Sequence, residues 1–454
     1  MRLLFLLRRP LWEDEIFTVW AARLSPGKLL DLLRADSGPP LFYLLEKPFV
    51  SLAENVFASD HPARALPFLC AALLFAGGFF LPRDGARRRF ALFLASSPLI
   101  FLYSTEARAY ALLALFCFFL FLMVTESKPG GGTTAAIAVL SAGALYTHYL
   151  AIFAVAALLA IALTARRRRE AAGLLAGVAL FLPWVPVLLS QPTAALAWSE
   201  EKPAESLAGF LSALGGAGRI PAPFGPSLPE PISLLGFGLG LLLLILLLLL
   251  GRQDASVRSA VVFVLIVLSA LLLVSFWRPL AFAGRSEMAV LPVWLWALSR
   301  GAERSVPVRW GARGAILLGL AACLFVSFGE VPVPAARPAL ATLLREAREG
   351  DVLFAGAGFY LPARLASERG ELKMPVYPFP RSVAEHPGWF APDAPTQEDY
   401  RDLRSAREGA AATNRVFLLI PPSYRTPEVD AIAAPSGWRE MGRSAVGVLL
   451  VWAP

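Results

Sequence analysis

The stretch ISLLGFGLGLLLLILLLLL, residues Ile232–Leu250, decides the fold of this chain. It contains no charged residue, and its length is close to the ~20 residues that a helix needs to cross the hydrocarbon core of a bilayer. Two further runs, Val257–Phe276 and Ala171–Leu189, are nearly as apolar. Because a soluble protein cannot bury several helices that are apolar on every side, the sequence predicts a polytopic α-helical membrane protein.

Composition and charge favour the same class. The chain is 57% hydrophobic and only 17% charged, whereas a soluble domain averages about 25% charged residues. The net charge of +8 would suit nucleic acid, but the arginines lie in short turns between apolar runs, as in Arg166–Arg169 and Arg300–Arg313. That is the positive-inside pattern, so we expect membrane lipids and no nucleic acid as partners. Cys70, Cys117 and Cys323 lie in apolar segments and are expected to be small core residues.

The basic turns orient the chain and divide it. They predict a transmembrane part over residues 1–330, with about 11 spans plus a partial helix and with outer loops at 12–39 and 191–231. Residues Met1–Leu11 are too short to span, and indicate either a half-helix or missing upstream residues. Alternating strand and helix patterns over residues 335–454 predict a soluble α/β domain. We expect a multi-pass inner (cell) membrane protein whose C-terminal domain is extracytoplasmic.

One glycine motif in the tail points to a different function. Gly356 and Gly358 form a GxG after a predicted strand, but no third glycine follows at the spacing of a dinucleotide-binding turn. We therefore expect no dinucleotide cofactor.

The first outer loop carries two acidic sites. Trp12 is followed by Glu13, Asp14 and Glu15 at the outer end of the first helix. Acidic groups at the interface are either solvated or functional, so the group is read both as a helix terminus beside an interfacial tryptophan and as a catalytic site. Asp36 precedes paired prolines, and either caps the next helix or adds another acidic group.

A second cluster lies between two apolar runs on the same predicted side. Arg108, beside Tyr110, suits a phosphate group. The alternative is that Glu106 and Arg108 only neutralise each other. Arg285 and Glu287 begin a later helix, again on the outer side.

His148 and Tyr149 end another helix on this side. A lone histidine at an interface is more often a hydrogen-bonding group than a catalyst, and both readings stay open. No residue is assigned as a metal ligand and no cofactor is required by the sequence, while a divalent cation stays open.

Acids and arginines on one face of an apolar bundle suit transfer from a lipid-linked sugar. The leaving group is an anionic phosphate, which needs arginine or lysine, and the acceptor hydroxyl needs a carboxylate to take its proton. The polyprenyl tail needs a membrane groove. A soluble outer domain can receive the acceptor.

The order of the motifs resembles the GT-C superfamily of glycosyltransferases, nearest to the protein O-mannosyltransferase and lipid A aminoarabinose transferase group. The motifs are W-x-D-E at Trp12–Glu15, D-x-x-P-P-L-x-Y at Asp36–Tyr43, E-A-R-x-Y at Glu106–Tyr110 and Y-T-H-Y at Tyr146–Tyr149. The resemblance covers roughly residues 11–300.

The resemblance implies a mannosyltransferase-like, inverting hexosyl- or pentosyltransferase that uses a polyprenyl-phosphate sugar and a glycan, lipid or protein acceptor. Asp14, followed by Glu15, would be its catalytic aspartate. Arg108 and Arg285 would bind the donor phosphate. The supporting residues would be Asp36, Glu106, Tyr110, His148 and Tyr149.

Two positions depart from that pattern. Gly38 stands where many relatives have histidine or lysine, and Ser286 follows Arg285 where tyrosine is common. They keep open a non-catalytic membrane protein that binds lipid-linked glycans or acts as an assembly partner. A transporter is disfavoured, because transport sites lie near the bilayer midplane and these groups do not.

Overall fold

The computed structural model contains two compact units. One comprises Met1–Pro10 and Ala22–Pro332, and the other comprises Leu11–Ala21 and Val333–Pro454. The residues that the structure describes are 11–52, 61–81, 84–127, 130–191, 202–221, 227–328, 336–385, 394–410, 414–434, 436–443 and 447–453. Most of the expected N-terminal half-helix and part of the 191–231 loop lie outside them. Helix α1 (Glu13–Arg23) begins in the second unit and ends in the first.

The first unit is helical. Its described helices are α2 (Pro26–Arg34), α3 (Leu41–Leu52), α4 (Ala65–Ala76), α5 (Asp84–Ser96), α6 (Pro98–Tyr103), α7 (Tyr110–Thr125), α8 (Gly131–Thr147), α9 (Ala151–Thr164), α10 (Arg168–Phe181), α11 (Val185–Ser190), α12 (Pro203–Leu214), α13 (Glu230–Leu250), α14 (Ala255–Ser275), α15 (Leu291–Arg304) and α16 (Val306–Phe328).

Five stretches of the described helices are long and apolar enough to cross a membrane. They are Pro62–Phe80, Arg168–Ser190, Glu230–Leu250, Ala255–Ser275 and Val306–Phe328, and two shorter apolar helices are α7 and α9. Along α13, Leu234, Leu241 and Leu248 expose 62%, 41% and 44% of their surface, as lipid-facing leucines would. The prediction of a helical membrane protein agrees with these features, whereas the number of about 11 spans stays a prediction.

Prolines interrupt the predicted span Ala171–Leu189. Helix α10 ends at Phe181, a 3-10 turn covers Leu182–Trp184, and α11 follows. Pro183 and Pro186 cannot donate the backbone hydrogen bonds that would continue a regular helix. The break places Trp184 and, beyond α11, Gln191 at the end of the span.

Glycines set the closest helix contacts. A Cβ atom at Gly177 of α10 would lie 2.4 Å from the Cβ of Ser141 in α8, and one at Gly240 of α13 would lie 1.9 Å from the carbonyl oxygen of Leu211 in α12. Small residues let helix backbones approach in membranes, where association depends on packing and polar contacts. These two contacts fix how the helix pairs pack.

The second unit contains a five-stranded sheet in the order β2-β1-β3-β5-β4. Its elements are α17 (Arg337–Glu346), β1 (Val352–Ala355), α18 (Tyr360–Glu368), β2 (Val376–Pro378), α19 (Gln397–Glu408), β3 (Val416–Ile420), α20 (Pro427–Ile432), β4 (Arg439–Arg443) and β5 (Val448–Trp452). Strands β2, β1 and β3 are parallel, and β5 and β4 complete the sheet in antiparallel pairs.

Strand β3 shows how this unit is held together. All five of its residues are buried. Phe417 and Leu419 pack into the core on one face of the sheet, while Leu418 and Ile420 pack into the core on the other. Apolar burial on both faces is typical of the central strand of a layered α/β domain.

Candidate functional site

Polar side chains gather where helices of the first unit meet, and we call this group the junction cluster. It consists of Tyr103, Glu106, Arg108, Tyr110, His148, Arg285 and Glu287. The ring centroids of Tyr103 and Tyr110 are 4.6 Å apart, and those of Tyr110 and His148 are 5.3 Å apart. Arg108 and Arg285 both act electrostatically on His148. Three segments distant in sequence therefore meet in one place.

The segment between α6 and α7 supplies most of the cluster. Ser97 starts α6 by accepting a hydrogen bond from the backbone N–H of Ile100, and Pro98 occupies the first turn, where its missing N–H has no cost. After Tyr103 the chain leaves the helix, and the N–H of Arg108 donates to the carbonyl of Glu106 at 2.7 Å. This tight turn holds Arg108 just before α7 begins.

A second turn brings Arg285 to the same place. Gly284 has φ +89, and a Cβ there would lie 2.5 Å from the carbonyl oxygen of Arg219, so only glycine fits this left-handed turn. Its N–H donates to both carboxylate oxygens of buried Glu287, each at 2.9 Å. Its carbonyl accepts a 2.7 Å hydrogen bond from the Tyr103 hydroxyl. The turn that carries Arg285 is thus tied to the end of α6.

His148 is neutral at physiological pH. Desolvation, together with the positive charges of Arg108 and Arg285, lowers the pKa of its imidazole to about 3. Its Nδ1 accepts a 3.2 Å hydrogen bond from the N–H of Leu150, which assigns the ring proton to Nε2. An imidazole in this state can donate a hydrogen bond but adds no positive charge to the cluster.

A chain of hydrogen bonds starts at Tyr149, the residue after His148, and ends at the loop before α3. Trp184 Nε1 donates to the Tyr149 hydroxyl at 3.0 Å, and that hydroxyl donates to Gln191 Oε1 at 2.7 Å. Gln191 Nε2 in turn donates to the carbonyl oxygens of Leu33 at 2.7 Å and Gly38 at 3.3 Å. Nothing in the sequence marks Gln191 except its place as the first polar side chain after Ser190.

Asp36 lies in the loop that Gln191 holds. The pKa of the Tyr149 hydroxyl is raised to about 12, chiefly by burial. The hydrogen bonds with Trp184 and Gln191 partly offset this rise, and the negative charge of Asp36 adds to it slightly. Asp36 is therefore close enough to influence Tyr149.

The space at Gly38 is open. A Cβ there would lie 3.7 Å from the Tyr43 hydroxyl and 3.8 Å from a carboxylate oxygen of Asp36, which are ordinary contact distances. A larger side chain fits, so glycine is not required by sterics in this direction. Nearby in sequence, Lys47 donates through its amino group to the carbonyl of Leu24 at 2.8 Å.

Asp14 and Glu15 lie in the first turn of α1, in the second unit. Both are buried, with exposures of 8% and 0%. Glu15 accepts a 3.3 Å hydrogen bond from the N–H of Trp12, and Thr18 donates to the carbonyl of Asp14 at 2.9 Å. Carboxylates in a first turn are favoured by the helix dipole. Since Arg108 and Arg285 lie in the first unit, convergence of the acids and the arginines stays a prediction.

Glu13 is the first residue of α1. Burial raises the pKa of its carboxyl group, while hydrogen bonds from the N–H groups of Glu13 and Ala336 lower it, and the charge of Asp14 raises it slightly. Over the described part of the chain, no group of three or more histidine, cysteine, aspartate or glutamate side chains could hold a metal ion. The described residues therefore offer no set of ligands for a divalent cation.

No family model matches this chain, and no curated protein matches it. Solved structures do. ArnT from Cupriavidus metallidurans bound to undecaprenyl phosphate matches at 14% identity and TM-score 0.53, over 91% of this chain and 88% of that one. Its apo state matches at 14% identity and TM-score 0.54, over 91% and 87%.

This chain has the same fold as ArnT. The archaeal oligosaccharyltransferase AglB from Archaeoglobus fulgidus, in complex with an inhibitory peptide and a dolichol-phosphate, is also similar, at 10% identity and TM-score 0.45 over 94% of this chain and 67% of that one. The two ArnT structures confirm the resemblance that the sequence motifs predicted at the level of the fold. At 14% identity the likeness concerns architecture, and the chemistry must be argued from the residues.

Proposed function

We propose that the protein is a glycosyltransferase that moves a sugar from a polyprenyl-phosphate donor to a glycan, lipid or protein acceptor of the cell envelope, on the extracytoplasmic face. One observation carries the proposal: two guanidinium groups, Arg108 and Arg285, come from distant segments and act together on the partly buried, neutral His148. A pair of arginines is suited to a phosphate. The ArnT structure with the same fold binds undecaprenyl phosphate.

The junction cluster has the chemistry to hold the leaving group. As the bond between the sugar C1 and the phosphate oxygen breaks, negative charge grows on the phosphate, and Arg108 and Arg285 would stabilise it. The hydrogen bond from Tyr103 to Gly284 keeps the second arginine's turn in place before the donor arrives. The neutral imidazole of His148 would donate a hydrogen bond without adding positive charge, and the ring of Tyr110 would pack against it.

Asp14 would act as the general base. The acceptor hydroxyl oxygen forms a new bond to C1 from the face opposite the phosphate, and its proton passes to the Asp14 carboxylate. A single displacement inverts the configuration at C1 and needs no glycosyl-enzyme intermediate. Glu15 would hold the start of α1 through its hydrogen bond with the N–H of Trp12, and Asp36 would support the acidic side.

The second candidate is a non-catalytic protein that binds a lipid-linked glycan. Gly38 favours it, because the open space beside Tyr43 and Asp36 lacks the cationic side chain that the resemblance leads one to expect there. Both candidates predict binding of a polyprenyl phosphate. Only the first predicts turnover.

The test uses the full chain in lipid nanodiscs with a panel of polyprenyl-phosphate sugars and a membrane extract as acceptor. We expect sugar release from one donor, loss of release in Asp14→Asn, and unchanged donor binding in that variant. Asp31→Asn is the matched control, since Asp31 lies in the same predicted loop and, among the described residues, pairs with Arg34 at the surface. Donor binding without release from any sugar would leave the second candidate, and full activity of Asp14→Asn would exclude Asp14 as the base.

A further inference from the structure

A second group of arginines lies where α5 packs beside α15 and α16. We call it the arginine cleft, and it consists of Arg89 of α5 with Arg309 and Arg313 of α16. Arg89 lies in the first half of α5, whereas the junction cluster begins at Tyr103, the last residue of α6. The cleft is therefore separate from the site proposed above.

The arginine cleft carries more positive than negative charge. Arg89 is paired with Glu303 of α15, and the positive charges of Arg309 and Arg313 act on Arg89. The Arg89 side chain is 23% exposed, and its Nε has no hydrogen-bond acceptor among the described residues. Three guanidinium groups thus interact with one another, and Glu303 pairs with one of them, Arg89, in the described part of the chain.

A nearby basic group shows that such an excess is not general. Arg300 lies 3.1 Å from Asp254 and 3.8 Å from Glu126, and Arg304 lies 3.0 Å from Asp254. There two arginines meet two carboxylates and the charge is balanced. Orientation of the chain in the membrane explains both basic groups, but it does not explain why the described charges balance in one group and not in the other.

The cleft continues into an apolar surface. Arg313, Leu317, Leu320 and Leu324 follow the helical spacing of four, three and four residues, so they lie on one face of α16. The three leucines expose 67%, 40% and 53% of their surface. A charged group at the end of an exposed leucine stripe matches the layout of a phospholipid, with its phosphate at the arginines and an acyl chain along the leucines.

Aromatic rings and backbone contacts orient the guanidinium groups. Arg313 lies 4.5 Å from the ring centroid of Trp310, which is 63% exposed. Arg309 donates through Nε to the carbonyl of Ala302 at 2.9 Å. Exposed tryptophan is typical of the level at which lipid headgroups lie, and basic pockets between membrane helices bind anionic headgroups.

We propose that Arg89, Arg309 and Arg313 bind the phosphate of an anionic phospholipid whose acyl chain lies along Leu317, Leu320 and Leu324. The phosphate supplies the counter-charge that Glu303 alone does not. A soluble phosphate ester offers the same charge, but it would leave the leucine stripe uncovered. The lipid is therefore the occupant that accounts for both halves of the surface.

The test is native mass spectrometry of the purified chain titrated with phosphatidylglycerol, phosphatidylcholine or glycerol phosphate. We expect one phosphatidylglycerol to be retained at a concentration at least about tenfold lower than phosphatidylcholine. A basic residue at a membrane surface contributes about fivefold in affinity for anionic lipid. Arg309→Gln with Arg313→Gln should therefore weaken phosphatidylglycerol binding about 25-fold, and Arg313→Gln alone about fivefold.

The control variant is Arg168→Gln with Arg169→Gln, which removes two exposed arginines from another basic turn and should leave binding unchanged. If the double variant of the cleft does not fold, the single Arg313→Gln variant tests the proposal instead. Arg313 donates to no backbone carbonyl in the described contacts, so its replacement should not disturb the fold. Equal binding of phosphatidylglycerol by wild type and Arg313→Gln would overturn the proposal. Displacement of the lipid by glycerol phosphate at similar concentration would also overturn it, since the acyl chain would then contribute nothing.

Discussion

Replacing Gln191 with glutamate tests whether this side chain holds the Asp36 loop. The two side chains have the same shape, but the new carboxylate cannot donate to the carbonyl oxygens of Leu33 and Gly38, which lie 2.7 and 3.3 Å from Gln191 Nε2. The oxygen that accepts from Tyr149 is kept. The change is therefore confined to the half of the contact that reaches the loop.

The cost follows from the hydrogen bonds that are lost. Leaving a part-buried carbonyl without its donor costs about 1–3 kcal/mol, which corresponds to about a 5- to 150-fold larger population of the released loop. Since Lys28 is exposed in α2, tryptic cleavage beside it reports that population when opening is fast relative to cleavage. We expect cleavage in nanodiscs to accelerate at least about fivefold, and the apparent affinity for a polyprenyl-phosphate donor to fall.

Tyr146→Phe is the matched control for this experiment. Tyr146 lies near the end of α8, three residues before Tyr149. In the described contacts its hydroxyl donates only to the carbonyl of Leu180, at 3.1 Å. Removing that hydroxyl should leave cleavage beside Lys28 unchanged. Equal cleavage rates in Gln191→Glu and wild type would refute the idea that Gln191 restrains the loop.

Two further predictions concern stability. Because the pKa of His148 is about 3 in the folded protein and about 6.5 when unfolded, the unfolded chain alone takes up a proton below pH 6.5. Stability is therefore complete above that pH and falls towards pH 3. About 2 kcal/mol should be lost between pH 7 and pH 5, and thermal unfolding of His148→Asn should show a flatter pH dependence. Gly177→Val should destabilise by about 1–3 kcal/mol, because its Cβ would lie 2.4 Å from that of Ser141, whereas Gly238→Val, with nothing within 4 Å, should not. An equal melting temperature for the two glycine variants would contradict the packing described for α8 and α10.

The sequence predicted the elements whose patterns are local. The apolar run Ile232–Leu250 corresponds to α13, and the apolar run Val257–Phe276 corresponds to α14. Strand β4 could not be predicted, since its sequence Arg-Glu-Met-Gly-Arg is almost wholly exposed and lacks the apolar alternation of a half-buried strand. The order of the sheet also could not, because it depends on pairings between distant segments.

Some residues of the candidate site could be predicted from the sequence, and others could not. Arginine next to tyrosine at a helix end pointed to Arg108, and the structure brings it beside His148 together with Arg285. Gln191 escaped notice because one glutamine after an apolar run has no distinguishing pattern, and its role depends on loop carbonyls far away in sequence. The left-handed turn at Gly284 positions Arg285. The need for glycine there depends partly on the carbonyl of Arg219, which is distant in sequence and could not be predicted.

The most direct measurement is a cryo-electron microscopy structure of the full chain with a polyprenyl phosphate. The account predicts phosphate density at hydrogen-bonding distance, about 3 Å, from the guanidinium nitrogens of both Arg108 and Arg285, with the Asp14 carboxylate facing the same cavity. Phosphate density away from these two arginines, or Asp14 directed to another side of the protein, would contradict it.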